Sequence, residues 1–177
     1  DQPRRIFALL LAAVFAAAFA VAEDEGLEAY NDGRFVEAQA EYMDQLSKAD
    51  FEVERAENNF GLGAAAYRVG DYEGAKLAFG EALLSPDVRM QQKAHYNLAS
   101  SLFMHGHEEL YKTKDRDKTR EIWQSAVNHY EATLTLNRKH QRARTNLGFV
   151  TQAIRLLDPP PNDDDDDDDN DDNEDEE

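Results

Sequence analysis

The chain has 177 residues, 37 acidic against 19 basic side chains, a formal net charge of −18, and no cysteine. That length favours a single domain with extensions. The missing cysteine removes disulfides, thiolate metal sites and cysteine nucleophiles, and the acidic balance disfavours nucleic acid, whose phosphates would be repelled.

From Ile6 to Ala22 the chain reads IFALLLAAVFAAAFAVA, preceded by Arg4 and Arg5 and closed by Ala20, Val21 and Ala22. Basic, apolar and small-x-small segments in that order predict a secretory signal peptide over residues 1–22, with Glu23 as the mature N-terminus. The alternative is an uncleaved N-terminal anchor, because so short an apolar run only reaches the lower limit of a spanning helix. Membrane contact is expected only through this segment, if it is retained.

Between residues 23 and 158 there is no sustained period-two alternation and no Asn-Gly or Asp-Gly hairpin turn, so strands are not expected. The chain instead aligns on its own turns. Gly33-Arg34-Phe35, followed by Ala38 and Tyr42, is echoed by Gly70-Asp71-Tyr72, followed by Ala75, Phe79 and Ala82. Gly26 and Gly63 each lie seven residues before their turn glycine. Small residues at Gly63, Ala75 and Ala82 would let helix axes approach, with aromatic rings filling the notches beside them. Gln45 stands where the first unit should carry a small residue.

A third copy opens at AHYNLASSLFMHG, where Leu98 and Ala99 match Leu62 and Gly63 and Gly106 is the expected turn glycine. The match resumes only at Trp123, with Ala126, Tyr130 and Leu134 in phase. The intervening charged, helix-compatible residues, near 107–122, are expected to extend both helices past the turn. A half copy, ARTNLGF, supplies Leu147 and Gly148. Its helix, over residues 140–157, would cap the open apolar face that a repeat array leaves at its end.

These residues resemble the tetratricopeptide repeat (TPR) family, whose 34-residue unit is a helix, a tight turn and a second helix. The unit at 54–87 carries the likeness best, through Leu62, Gly63, Tyr67, Gly70, Tyr72, Ala75, Phe79, Ala82 and Pro86. The resemblance implies an all-α, right-handed solenoid of helical hairpins, with units at about 23–53, 54–87 and 91–139 before the capping helix. It also implies a concave groove lined by the first helix of each unit, which takes a partner's peptide or helix. On this chain the groove residues would be Phe60, Ala64, Tyr67 and Arg68, then Lys93, Tyr96, Asn97, Ser100 and Phe103, and on the cap Arg142, Thr145, Asn146 and Phe149. Bases, amides and aromatics there would suit a chain terminus or an acidic peptide. For Asn97 and Asn146 the competing reading is satisfaction of backbone groups between helices.

Chemistry is not indicated. His105-Gly106-His107 is a short spacing without a supporting acid or third histidine, and His95, His129 and His140 add no H-E-x-x-H pattern, so turn and surface histidines are the expectation. No nucleophile elbow, phosphate loop or paired carboxylate in an apolar setting is visible. Gly61 and Gly63 belong to the repeat. The reading is a non-enzyme with no cofactor and no metal site.

Pro159 to Pro161 should stop the last helix and form a stiff spacer. Residues 163–177 carry thirteen acids and no base, and without apolar side chains they are expected to be disordered. The run lacks the glycine and ordered spacing of a calcium loop.

An exported three-unit protein with AHYNL opening a unit, HYEATLTLN after an insertion, an NLGFV cap and a polar tail is similar to the TPR proteins of Bacteroides aerotolerance (Bat) operons. That likeness implies a periplasmic or cell-envelope scaffold in a bacterium, with a membrane-associated protein partner. Two alternatives keep the tail as the working part: a chaperone or assembly factor for basic clients, or a low-affinity calcium-binding surface protein.

Overall fold

The structure is a computed structural model and describes residues 24–157, all of whose regular elements are α-helices. In chain order they are α1 (Glu25–Asn31), α2 (Phe35–Lys48), α3 (Glu52–Val69), α4 (Tyr72–Ala82), α5 (Val88–Thr113), α6 (Arg116–Leu136) and α7 (Gln141–Leu157). The expected signal or anchor over residues 1–22, and the proline spacer and acidic tail over residues 159–177, lie outside the described residues.

Local chemistry sets the boundaries. Asp24, Asp71 and Asp115 each accept a hydrogen bond from a backbone N–H three residues on, at 2.9 Å, and so satisfy donors that the first helical turn leaves without partners. Gly33 and Gly70 close α1 and α3 in the left-handed region, at φ of 78° and 84°, where a side chain would be strained. The two hairpin turns expected there are in place.

Each helix packs against its neighbours in the chain, and α3 also touches both α1 and α5. The core follows that order. Ala65 on α3 belongs to a cluster with Ala29, Ala38 and Tyr42, whereas the adjacent Ala66 faces a second cluster built on Ala75, Phe79, Leu98, Ala99, Trp123, Ala126, Tyr130 and Val150. One helix therefore joins two cores.

Rings seated on glycines make the close approaches. A Cβ at Gly26 would lie 2.8 Å from the Tyr42 ring, and one at Gly61 would overlap the same ring near its hydroxyl end. A Cβ at Gly63 would lie 2.9 Å from Phe79 Cδ1. Ala75 and Ala82 are fully buried. Gln45, at the position expected to be small, donates from Nε2 to Asp24 Oδ1 at 3.1 Å and ties α2 to the start of α1.

Gly106 is a correction to the sequence reading. It sits buried inside α5, and no turn occurs there. Its backbone runs on because the following residues are compatible with helix and because the missing side chain makes room for Trp123. A Cβ at Gly106 would lie 2.5 Å from Trp123 Nε1, which donates to the Phe103 carbonyl at 3.0 Å. The reversal comes at Lys114, in the left-handed region at φ 60°. Beyond Gly106 the two helices run side by side, joined by Lys118 Nζ to Glu109 Oε1 at 2.8 Å.

Candidate functional site

The packing of α3, α5, α6 and α7 leaves a recess of about 350 Å3. Its walls are Tyr67 from α3, Ser100, Phe103 and Met104 from α5, Tyr130 from α6, and Asn146, Phe149 and Val150 from α7. Helical spacing explains the grouping: Ser100, Phe103 and Met104 stand at i, i+3 and i+4, as do Asn146, Phe149 and Val150, so each triplet presents one face.

A hydrogen-bond chain runs through its polar part. Ser100 Oγ lies 3.0 Å from the Tyr96 carbonyl and 3.0 Å from the Tyr130 hydroxyl. The serine has one proton and the carbonyl can only accept, so the serine donates to Tyr96 O and Tyr130 donates to Ser100 Oγ. Asn146 Nδ2 then donates to the hydroxyls of Tyr130, at 3.2 Å, and Tyr96, at 3.3 Å. Burial pushes the Tyr130 phenol up, which keeps it protonated as this chain of donors requires. Two groups are left unused within the network: the Tyr96 O–H as a donor and Asn146 Oδ1 as an acceptor.

Of the thirteen residues expected in a groove, Tyr67, Ser100, Phe103, Asn146 and Phe149 meet at this recess, and Tyr96 joins them through its hydroxyl. Phe60 packs edge-on against Phe79, ring centres 5.4 Å apart, and Ala64 lies half-buried against the same core. Arg68 is drawn the other way, its guanidinium 4.1 Å from the centre of the Phe35 ring. Lys93, Arg142 and Thr145 are exposed, and Asn97 Nδ2 donates to the Lys93 carbonyl at 2.9 Å within its own helix. Asn97 thus serves a backbone group of its own helix and Asn146 serves side chains of α5 and α6, so neither of these bonds joins backbone between helices. None of the three expected bases lines the recess, whose polar groups are all uncharged.

Met104, Tyr130 and Val150 were not anticipated at the site. The i+4 spacing from Ser100 and Asn146 was the available signal for Met104 and Val150. For Tyr130, whose ring is only 1% exposed, the repeat phase indicated core and gave no sign that its hydroxyl reaches a cavity.

His107 is exposed and His140 follows the α6–α7 turn, as a turn-and-surface pattern expects, whereas the other three histidines depart from it. His95 on α5 and His129 on α6 are half-buried, with Nδ1 atoms 2.9 Å apart and ring centres 5.2 Å apart. Burial pushes both imidazoles down, and for His129 the neighbouring His95 adds to it. His140 Nδ1 accepts from the Ala143 amide at 3.1 Å at the start of α7, and its ring lies 4.8 Å from that of Tyr96. His105 and His107 lie within α5, with His105 Nδ1 3.0 Å from Glu73 Oε2 on α4. Among the described residues no group of three or more histidines and carboxylates could hold a metal ion. Among the same residues no helix is long and apolar enough to cross a membrane. Comparison with known proteins finds no matching family model and no matching curated protein.

Proposed function

We propose that this chain is a non-enzymatic scaffold of the TPR type that holds a segment of a protein partner in the recess between α3, α5, α6 and α7. Helices that pack in chain order, left-handed glycines at the first two hairpin turns, and rings seated on small residues all support the repeat reading. A signal or anchor over residues 1–22 supports an envelope location and a membrane-associated partner, in keeping with the likeness to Bat-operon proteins.

The observation that carries the binding role is the uncharged polar network set inside an aromatic rim. Phe149, 65% exposed, stands at that rim, and aromatic side chains that become buried on association are common anchors for a partner. The Tyr96 hydroxyl and Asn146 Oδ1 supply one donor and one acceptor, which suits a peptide unit or an uncharged polar side chain better than a carboxylate.

The test uses the chain as bait on detergent-solubilised envelopes, beside a Phe149→Glu variant, with captured proteins identified and then assayed singly for direct binding. A membrane protein that binds the original chain and loses at least about tenfold in affinity with the variant, as removal of a good anchor predicts, supports the reading. Equal capture by both baits, with release in high salt, would overturn it in favour of the acidic tail.

A further inference from the structure

Charge is divided unevenly along the described residues. Residues 24–131 hold 21 acidic and 12 basic side chains, whereas residues 132–157 hold five bases and no acid. Those five are Arg138, Lys139, Arg142, Arg144 and Arg155, and all are exposed. Bases upstream are often matched, as Arg34 is with Asp32, Lys76 with Glu73 and Lys118 with Glu109. None of the five is ion-paired with a described residue. Arg144 donates to Gln141 Oε1 at 3.2 Å and to the Arg138 carbonyl at 2.7 Å, both neutral acceptors. Four of the five cluster around the α6–α7 turn, giving an acidic molecule a surface of uncompensated positive charge.

The chain itself carries the complementary charge. Twenty residues follow Leu157, and the thirteen acids of residues 163–177 begin six positions beyond it. The turn lies at the far end of α7, whose 17 residues span about 25 Å. Twenty extended residues reach up to roughly 66 Å, so the acids can return along the helix.

We infer that the acidic run of residues 163–177 docks on the basic surface of its own chain formed by Arg138, Lys139, Arg142 and Arg144. Tethering favours this occupant, since a short linker gives an effective concentration on the order of millimolar. A second copy is opposed by the net charge of −18 that each chain carries. The first hairpin is no competitor, because residues 24–57 hold eleven acids and three bases. Single exposed ion pairs are weak and screened by salt, so the docked tail is held by many small contacts and yields to a stronger ligand. Arg142, expected at the partner groove, lies within the covered surface. The tail thereby occupies charge that an acidic partner would need, and it biases the neighbouring recess toward uncharged segments.

The native chain has no cysteine, so Asn170→Cys in the full chain gives one site for a nitroxide label, read by the loss of backbone amide signals in NMR spectra. The expected result is loss concentrated at residues 138–146 and absent at residues 25–57. It should disappear in about 1 M salt, where the screening length is about 3 Å. It should also disappear in an Arg138→Gln/Lys139→Gln/Arg142→Gln/Arg144→Gln variant and, independently, when the seven aspartates of 163–169 become asparagine, a change that alters no described residue. Loss spread evenly over the helices, or unchanged in both charge variants, overturns the inference. So does loss that transfers to an unlabelled, isotope-enriched copy in a mixed sample, which would mean association between copies.

Discussion

His95 on α5 and His129 on α6 face each other with Nδ1 atoms 2.9 Å apart, and burial pushes both imidazoles below their ordinary value. One nitrogen of the pair must donate and the other accept, so the contact requires at least one neutral ring, and burial disfavours charge on both. The unfolded chain takes up protons there first as pH falls through about 6.5. Stability is therefore complete above that value and declines as pH falls toward the lowered folded values. The carboxylates of Glu73 and Glu109, held down chiefly by hydrogen bonds from Lys76 and Lys118, act in the same direction but in a lower window. Between about pH 7.5 and 5.5 the melting temperature should fall by a few degrees, on the order expected for a loss near 1 kcal/mol. His129→Gln, which keeps a partner for His95, should flatten that slope. An equal slope in the variant would remove the pair from the explanation.

The glycines make a sharper test of the packing. A Cβ at Gly61 overlaps the Tyr42 ring, whereas one at Gly148 on α7 meets nothing within 4 Å. Gly61→Ala should cost roughly 1–3 kcal/mol in chemical unfolding through overpacking. Gly148→Ala should stabilise by about 0.5–1 kcal/mol, because alanine is the better residue inside a helix. The opposite signs of one chemical change are the expected result, and equal effects would show that helix propensity alone governs both sites.

How much of this was legible depended on whether a residue's role is local. Gly33 and Gly70 could be placed because a turn needs a left-handed backbone wherever it occurs, and the neighbouring residues announce it. Gly106 could not, because its role is a contact with Trp123, 17 positions away in sequence. A glycine that makes room for a ring looks the same in sequence as one that ends a helix. The same division runs through the site. Tyr67, Ser100, Phe103, Asn146 and Phe149 were placed through the resemblance to the repeat family, which implies the face that each helix turns toward the groove. The direction of Arg68, which turns to the Phe35 ring, depends on an aromatic supplied by another hairpin. Tyr130 combines a core ring with a hydroxyl in a cavity, and the repeat phase speaks only for the ring.

Ala75 tests the shared core directly. It is 0% exposed in the cluster that α3, α4 and α5 build together. Ala75→Glu would bury an unpaired carboxylate, at a cost of several kcal/mol even after the side chain shifts its proton affinity. That is comparable with the whole stability of a small domain. Circular dichroism should show loss of the cooperative thermal transition at neutral pH. A melting temperature unchanged from the parent chain would mean that the packing around Ala75 is not as described.

Phe149 and Tyr130 line the same recess but should separate binding from folding. Phe149 is largely exposed, so Phe149→Ala removes little buried area and should leave stability within about 0.5 kcal/mol. Its effect should appear only in affinity for the partner, chiefly as faster dissociation. Tyr130→Phe keeps the buried ring but removes the hydroxyl that donates to Ser100 and accepts from Asn146. Both neighbours then lose a partner beside a partly open cavity, which should cost about 1 kcal/mol in unfolding measurements. The freed Asn146 amide would add a second donor to the one donor and one acceptor that the parent network leaves, so the variant should also change the preference between uncharged segments. If Phe149→Ala lowers the melting temperature as much as Tyr130→Phe does, the phenyl ring is a structural cover over the recess, and its role as a partner anchor fails.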